Sequence, residues 1–232
     1  MKYLFFMLLF LPAFFDLHAA SAANSLSLKD AVAKGYFPPP VEPVDNMDLK
    51  SLPAAKSSPV STLELGTLEV ELEKTTLEDV QKSAAAGRIV GTVGRNGDAS
   101  DYQNWLCYTI SAPEQSERIW IYSGEMNVSE NFVEGIYAAS IDKPAAASEK
   151  CPELSARLLP VYLSNSLWIG SGAYQLKNLY GEPSATMDDW WIYFYTGKVP
   201  VKGVEFDRQV ILEAKVSGGK IVALAQSQLT TN

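Results

Sequence analysis

Met187-Asp188-Asp189-Trp190-Trp191-Ile192-Tyr193-Phe194-Tyr195 sets six consecutive apolar or aromatic residues behind an acidic turn. In a strand, successive side chains point to opposite faces of the sheet. Trp190, Ile192 and Phe194 therefore share one face, and Trp191, Tyr193 and Tyr195 the other. One face has to bury against a helix. The second is nearly as apolar and carries indole and hydroxyl donors, which reads as an aromatic docking surface.

Working outward, Ser171 can cap a helix whose stripe is Leu176, Leu179 and Tyr180, with Gly181 ending it and Pro183 preventing its resumption. Leu158–Leu163 can form a strand, at an edge or bulge because of Pro160. Downstream, Arg208–Val216 and Ile221–Ser227 read as strands joined by the hairpin turn Ser217-Gly218-Gly219-Lys220.

The first half runs in a similar order. Leu68, Val70 and Leu72 alternate with Thr67, Glu69, Glu71 and Glu73, the period of a half-buried strand. Thr76 and Asp79 have capping-box spacing before a helix with Leu77, Val80 and Ala84 on one side, and Gly87 is placed to end it. Strands are expected at Trp105–Ile110, Arg118–Met126 and Phe132–Ser140. Trp105-Leu106-Cys107-Tyr108 answers Trp190-Trp191-Ile192-Tyr193, and Arg118-Ile119-Trp120-Ile121 answers Arg208-Gln209-Val210-Ile211. The expectation is an α+β fold of two tandem helix-on-antiparallel-sheet units, residues 62–142 and 143–232, whose sheets form an aromatic-rich face.

Residues 1–23 read as an export signal: Lys2, an apolar run Tyr3–Phe15, and the small-x-small site Ala20-Ser21-Ala22, with cleavage after Ala22 or Ala23. The run is shorter than the roughly 20 apolar residues that span a bilayer. A periplasmic or secreted protein is expected. Residues 24–61 are rich in Pro, Ala and Ser and read as a tail or extended spacer. Tyr36 and Phe37, its only aromatics, could instead pin it to the folded region.

The net charge of −8 and the lack of a Lys/Arg cluster argue against nucleic acid or an anionic membrane as partner. The single histidine, His18, falls inside the expected signal, so Ser-His-Asp and Cys-His catalysis, imidazole bases and imidazole metal ligands are not expected. Cys107 and Cys151 are the only cysteines, and an exported chain favours their pairing over two free thiols.

One stretch carries a family resemblance. Tyr-x-Leu-x-x-Leu-Tyr-Gly-x-Pro at 174–183, followed by Trp-x-x-Tyr at 190–193, resembles bacterial helix-plus-sheet modules. These include the small lipoprotein of the outer-membrane protein assembly machine (BamE/SmpA) and the β-lactamase inhibitory protein. The resemblance covers about 55 residues and rests on Gly181, Pro183, Trp190 and Tyr193. It implies an antiparallel sheet with helices on one face that works by protein contact. The chain departs from both families: no lipid-bearing cysteine follows the expected signal, and two cysteines cannot make the inhibitor's disulfides.

Catalytic patterns are thin. Asp188, Asp189, Glu125 and Glu182 lie near aromatic stretches, but adjacent Asp188 and Asp189 diverge if extended, a poor acid/base pair for glycoside hydrolysis. Ser140–Lys143 and Ser217–Lys220 match Ser-x-x-Lys on apparent turns, without the buried lysine such a pair requires. The glycine-rich loops lack a strand-loop-helix context. Asn96, Asp98 and Asp101 could offer oxygen ligands to calcium, though a solvated turn explains them as well. The leading expectation is therefore a non-catalytic module with no cofactor and no metal, binding another protein through Trp105, Trp120, Tyr122, Trp191, Tyr193 and Tyr195. A small-ligand or glycan binder is the alternative, and a carboxylate glycoside hydrolase the third.

Overall fold

The computed structural model describes residues 28–92, 103–113, 115–124, 130–141 and 147–231. The expected export signal, the loop with Asn96, Asp98 and Asp101, and Glu125 and Lys143 lie outside these residues.

The long apolar run at 190–195 does become a strand, and a longer one than its composition suggested. β9 (Trp190–Val201) continues through Pro200 and turns at Lys202-Gly203 into β10 (Val204–Ser217), which returns through Gly218-Gly219 as β11 (Lys220–Thr231). All four turn residues have positive φ, the two-residue geometry whose twist matches that of the flanking strands. β4 (Gln103–Ile110), β5 (Ser116–Ser123) and β6 (Gly135–Ile141) form a second meander. The short β3 (Val90–Thr92) and β8 (Ala185–Met187) lie at the two edges.

β6 pairs antiparallel with β11, Ala139 opposite Ala223 through Gly135 opposite Ser227. That pairing fuses the meanders into one eight-stranded sheet of order β3-β4-β5-β6-β11-β10-β9-β8. A smaller sheet, β2-β1-β7, combines β1 (Thr62–Leu65) and β2 (Leu68–Glu71) with β7 (Val161–Leu163) from the other half of the chain. The expected α+β pair of helix-on-sheet units is thus overturned. The described chain is 47% strand and 16% helix, and its two halves share both sheets. Strand pairing across the halves saturates edges that separate units would have left open.

One side of the large sheet faces α2 (Leu77–Ala84), α3 (Tyr174–Tyr180) and the small sheet. Leu77, Val80, Leu176 and Tyr180 join Leu63, Leu65 and Leu163 against Leu106, Tyr108, Ile119, Ile121, Tyr193 and Leu212 in the main core. The Thr76–Asp79 capping box forms as read. The left-handed residue that closes α2 is Ala85 rather than Gly87, which instead lets the chain pass close over the Tyr108 ring. α3 begins beyond Ser171, at Tyr174, and Pro160 follows Leu159 through a cis bond just before β7. Gln226, in register with Leu212 and Ile136, is buried on this side, and among the described residues neither of its amide atoms meets a hydrogen-bond partner. No helix among the described residues is long and apolar enough to cross a membrane.

Candidate binding surface

The opposite side of the large sheet is the aromatic one. Strand pairing sets Cys107, Trp120, Tyr137, Ala225, Glu213 and Ile192 in one cross-sheet row. The next row holds Trp105, Tyr122, Gly135, Ser227, Ile211 and Phe194. Large rings crowd β4, β5 and, through Tyr137, β6, while the small residues Ala223, Ala225 and Ser227 line β11. Trp120 meets Tyr137 edge to face, with ring centroids 5.5 Å apart, and Tyr137 lies 6.3 Å from Trp190. Gly135 is a spatial necessity: a Cβ there would sit 2.3 Å from Cζ and Oη of Tyr122. Without that methyl, the Tyr122 ring can lie across β6.

The six aromatics expected to bind do not share this face. Trp105, Trp120 and Tyr122 point to it, whereas Trp191, Tyr193 and Tyr195 occupy alternate positions of β9 that face the helix side. Tyr193 is fully buried against Tyr180, and Trp191 lies half-buried with Lys177 Nζ 5.1 Å from its ring. Trp105, Trp120 and Tyr122 are buried, and Tyr195 is half-buried.

What covers the aromatic side is the chain's own N-terminal segment. α1 (Leu28–Ala33) ends at Gly35, whose φ is 76°; the Tyr36 amide donates to the Ala31 carbonyl and the Gly35 amide to that of Val32. This closure turns the chain so that Tyr36 and Phe37 reach the sheet. Ala31, fully buried, sets α1 directly on the ring cluster.

From there the chain crosses the face. Trp120 Nε1 donates to the Phe37 carbonyl at 3.0 Å. The Arg118 guanidinium lies 4.0 Å from the centre of the Phe37 ring, and burial lowers its pKa from the usual arginine value. Tyr36 stacks under Lys150 at 4.8 Å and accepts a hydrogen bond from Arg88 through its hydroxyl. Pro38, Pro39 and Pro40 follow. Then the Tyr122 hydroxyl donates to Glu42 Oε1 at 2.7 Å, and the Val44 amide donates to Glu213 Oε1 at 2.9 Å. Burial, and after it the charges of Glu42 and Glu213, push Tyr137 up to about 12.

The segment then passes two short 3-10 turns and rounds the sheet edge, where the Ala55 amide donates to the Phe194 carbonyl and that of Lys56 to Tyr180. Ala55 itself packs into the main core. The Pro-rich stretch read as a spacer is therefore docked through Tyr36 and Phe37. Proline spacing alone carried no sign of this, and the aromatic pair was the one signal available.

The Cys107–Cys151 disulfide is formed and belongs to the same ring cluster. It holds residues 151–154 alongside β4, where the Thr109 amide donates to the Pro152 carbonyl and that of Leu154 donates back to Thr109. Lys150 is thereby placed over Tyr36. Among the acidic candidates, Asp188 and Asp189 are both exposed at the turn before β9, and Glu182 pairs with Lys177 in solvent. The surface thus offers rings, main-chain-directed donors and buried carboxylates around an extended peptide. No protein-family model, characterised protein or solved structure matches this chain.

Proposed function

We propose that this is an exported, non-catalytic protein-binding module of the periplasm or the extracellular space, acting through the aromatic side of its eight-stranded sheet. One observation carries the reading. The face already holds an extended polypeptide, and it does so through contacts directed at main chain and rings: the Trp120 indole to a carbonyl, Glu213 to an amide, and Arg118 over Phe37. Aromatic-lined surfaces with an indole donor suit Pro-rich extended segments, which are stiff and lose little entropy on docking. The Cys107–Cys151 bond is compatible with an oxidising compartment. The resemblance of residues 174–193 to modules that work by protein contact points the same way.

The test is photo-crosslinking in the native envelope from probes at Val41, Gln103 and Ser227, all on the aromatic side, followed by mass spectrometry. A single dominant protein adduct is expected. Adducts to no protein, together with a thermal shift produced by sugars or lipids, would favour the small-ligand reading instead.

A further inference from the structure

The occupant of the aromatic face is held unevenly. Residues 31–44 meet the sheet through Ala31, Tyr36, Phe37, Glu42 and Val44, and residues 55–57 are tied separately to Phe194, Tyr180 and Leu179. Between these anchors, the Met47 amide donates to the Val44 carbonyl, that of Ser51 to Asp48 and that of Leu52 to Leu49, bonds made within the segment itself. Asp48, Lys50, Ser51, Pro53 and Ala54 are exposed. A cavity of about 490 Å³ is lined on the segment by Pro38, Pro39 and Val41 and on the sheet by Gln103, Ile211 and Ser227. Val41 is 77% exposed. The front of the strap can therefore leave while its rear anchor stays in the core.

From this placement we infer that residues 34–44 are an internal pseudo-ligand, and that the face accepts in their place an extended peptide of a partner protein with the same chemistry. That peptide has an aromatic residue followed directly by prolines, and a carboxylate five positions after the aromatic, as Glu42 follows Phe37. The inference rests on the protein-binding reading and names its partner class and its control. The aromatic ring takes the Arg118 stack, that residue's own carbonyl accepts the Trp120 indole proton, and the carboxylate accepts from the Tyr122 hydroxyl. The strap competes at the millimolar effective concentration that a short flexible tether provides. Apparent affinity for a peptide in trans is lowered by the fraction of molecules whose strap is seated.

The experiment uses the full chain and a fluorescent peptide, Lys-Gly-Tyr-Phe-Pro-Pro-Pro-Val-Glu-Pro-Val, read by anisotropy. The wild type is compared with Phe37→Ala and, independently, Glu42→Gln, each verified as folded by circular dichroism. Both variants are expected to bind the peptide at least about tenfold more tightly than the wild type, because a weakened strap frees the face. A peptide with Ala in place of Phe should lose that gain, and so should Trp120→Phe added to either variant. Equal binding by wild type and both variants, or none by any of them, would overturn the inference. Should the crosslinking above still trap a partner, protein binding would stand while the exchange fell. A concentration-dependent dimer of the wild type in light scattering, abolished by Phe37→Ala, would assign the face to a second copy's strap and likewise overturn the partner reading.

Discussion

Gly135→Ala disturbs the strap from beneath without touching a strap residue. The new methyl would sit 2.3 Å from Cζ and Oη of Tyr122 and 2.7 Å from Cε2, where carbon contacts prefer about 3.5–4 Å. The ring has to move by more than about 1 Å, and its hydroxyl then leaves Glu42, 2.7 Å away. Overpacking of this kind costs about 1–3 kcal/mol, and a hydrogen bond to a charged group contributes about 1.5–3 kcal/mol. The two losses share one displacement and do not simply add, so the expected destabilisation is about 3 kcal/mol. The assay is a double-mutant cycle with Tyr122→Ala, in urea, followed by tryptophan fluorescence. In the Tyr122→Ala background the added methyl has room, so Gly135→Ala should be near neutral and the coupling should exceed about 1.5 kcal/mol. Additive losses would refute the reasoning, because the methyl would then act on something other than the ring.

Further outcomes follow from the same geometry. Cys107→Ala with Cys151→Ala, which opens a loop with a sequence separation of 44, should lower stability by about 4 kcal/mol in denaturant titrations, as loop entropy estimates. Tyr137 keeps its proton up to about pH 12 in the folded protein, whereas the unfolded chain releases it near 10, so its stabilising contribution is complete below pH 10 and lost between 10 and about 12. Tyr137→Phe should therefore show a shallower fall in stability across that window, and identical slopes would contradict the assignment. Gln226→Met replaces a buried amide that has no hydrogen-bond partner among the described residues by an apolar chain of similar length. It should raise stability by about 1–2 kcal/mol, and a lower urea midpoint would refute that.

Local structure was legible wherever one residue type has one physical use. Gly218-Gly219 marked a hairpin, Thr76 and Asp79 a capping box, and the two cysteines a single bond, and each is found. The global pairing was not legible, because nothing in Gly135–Ile141 or Lys220–Thr231 announces that these strands adjoin. Two similar halves were therefore read as two sheets. The parity of the aromatics failed for a related reason. Alternation along β9 separates Trp190 from Trp191, but only the pairing across β10, β11 and β6 says which of them shares a side with Trp120. The strap was hidden because its anchors are sparse. Buried Ala31, the Tyr36 and Phe37 rings, the Phe37 carbonyl, Glu42 and the Val44 amide hold a stretch whose composition otherwise reads as solvated spacer.

The central claim is that Phe37 and its neighbours lie on the aromatic face. The Trp120 indole proton reports this most directly, since it points at the Phe37 carbonyl 3.0 Å away. In nitrogen-15-labelled protein, that indole N–H should exchange slowly with deuterium and show cross-relaxation to Phe37, and both effects should weaken in Phe37→Ala. Rapid exchange, with no contact to any residue before Pro43, would show that the strap does not occupy the sheet, and the account would fail.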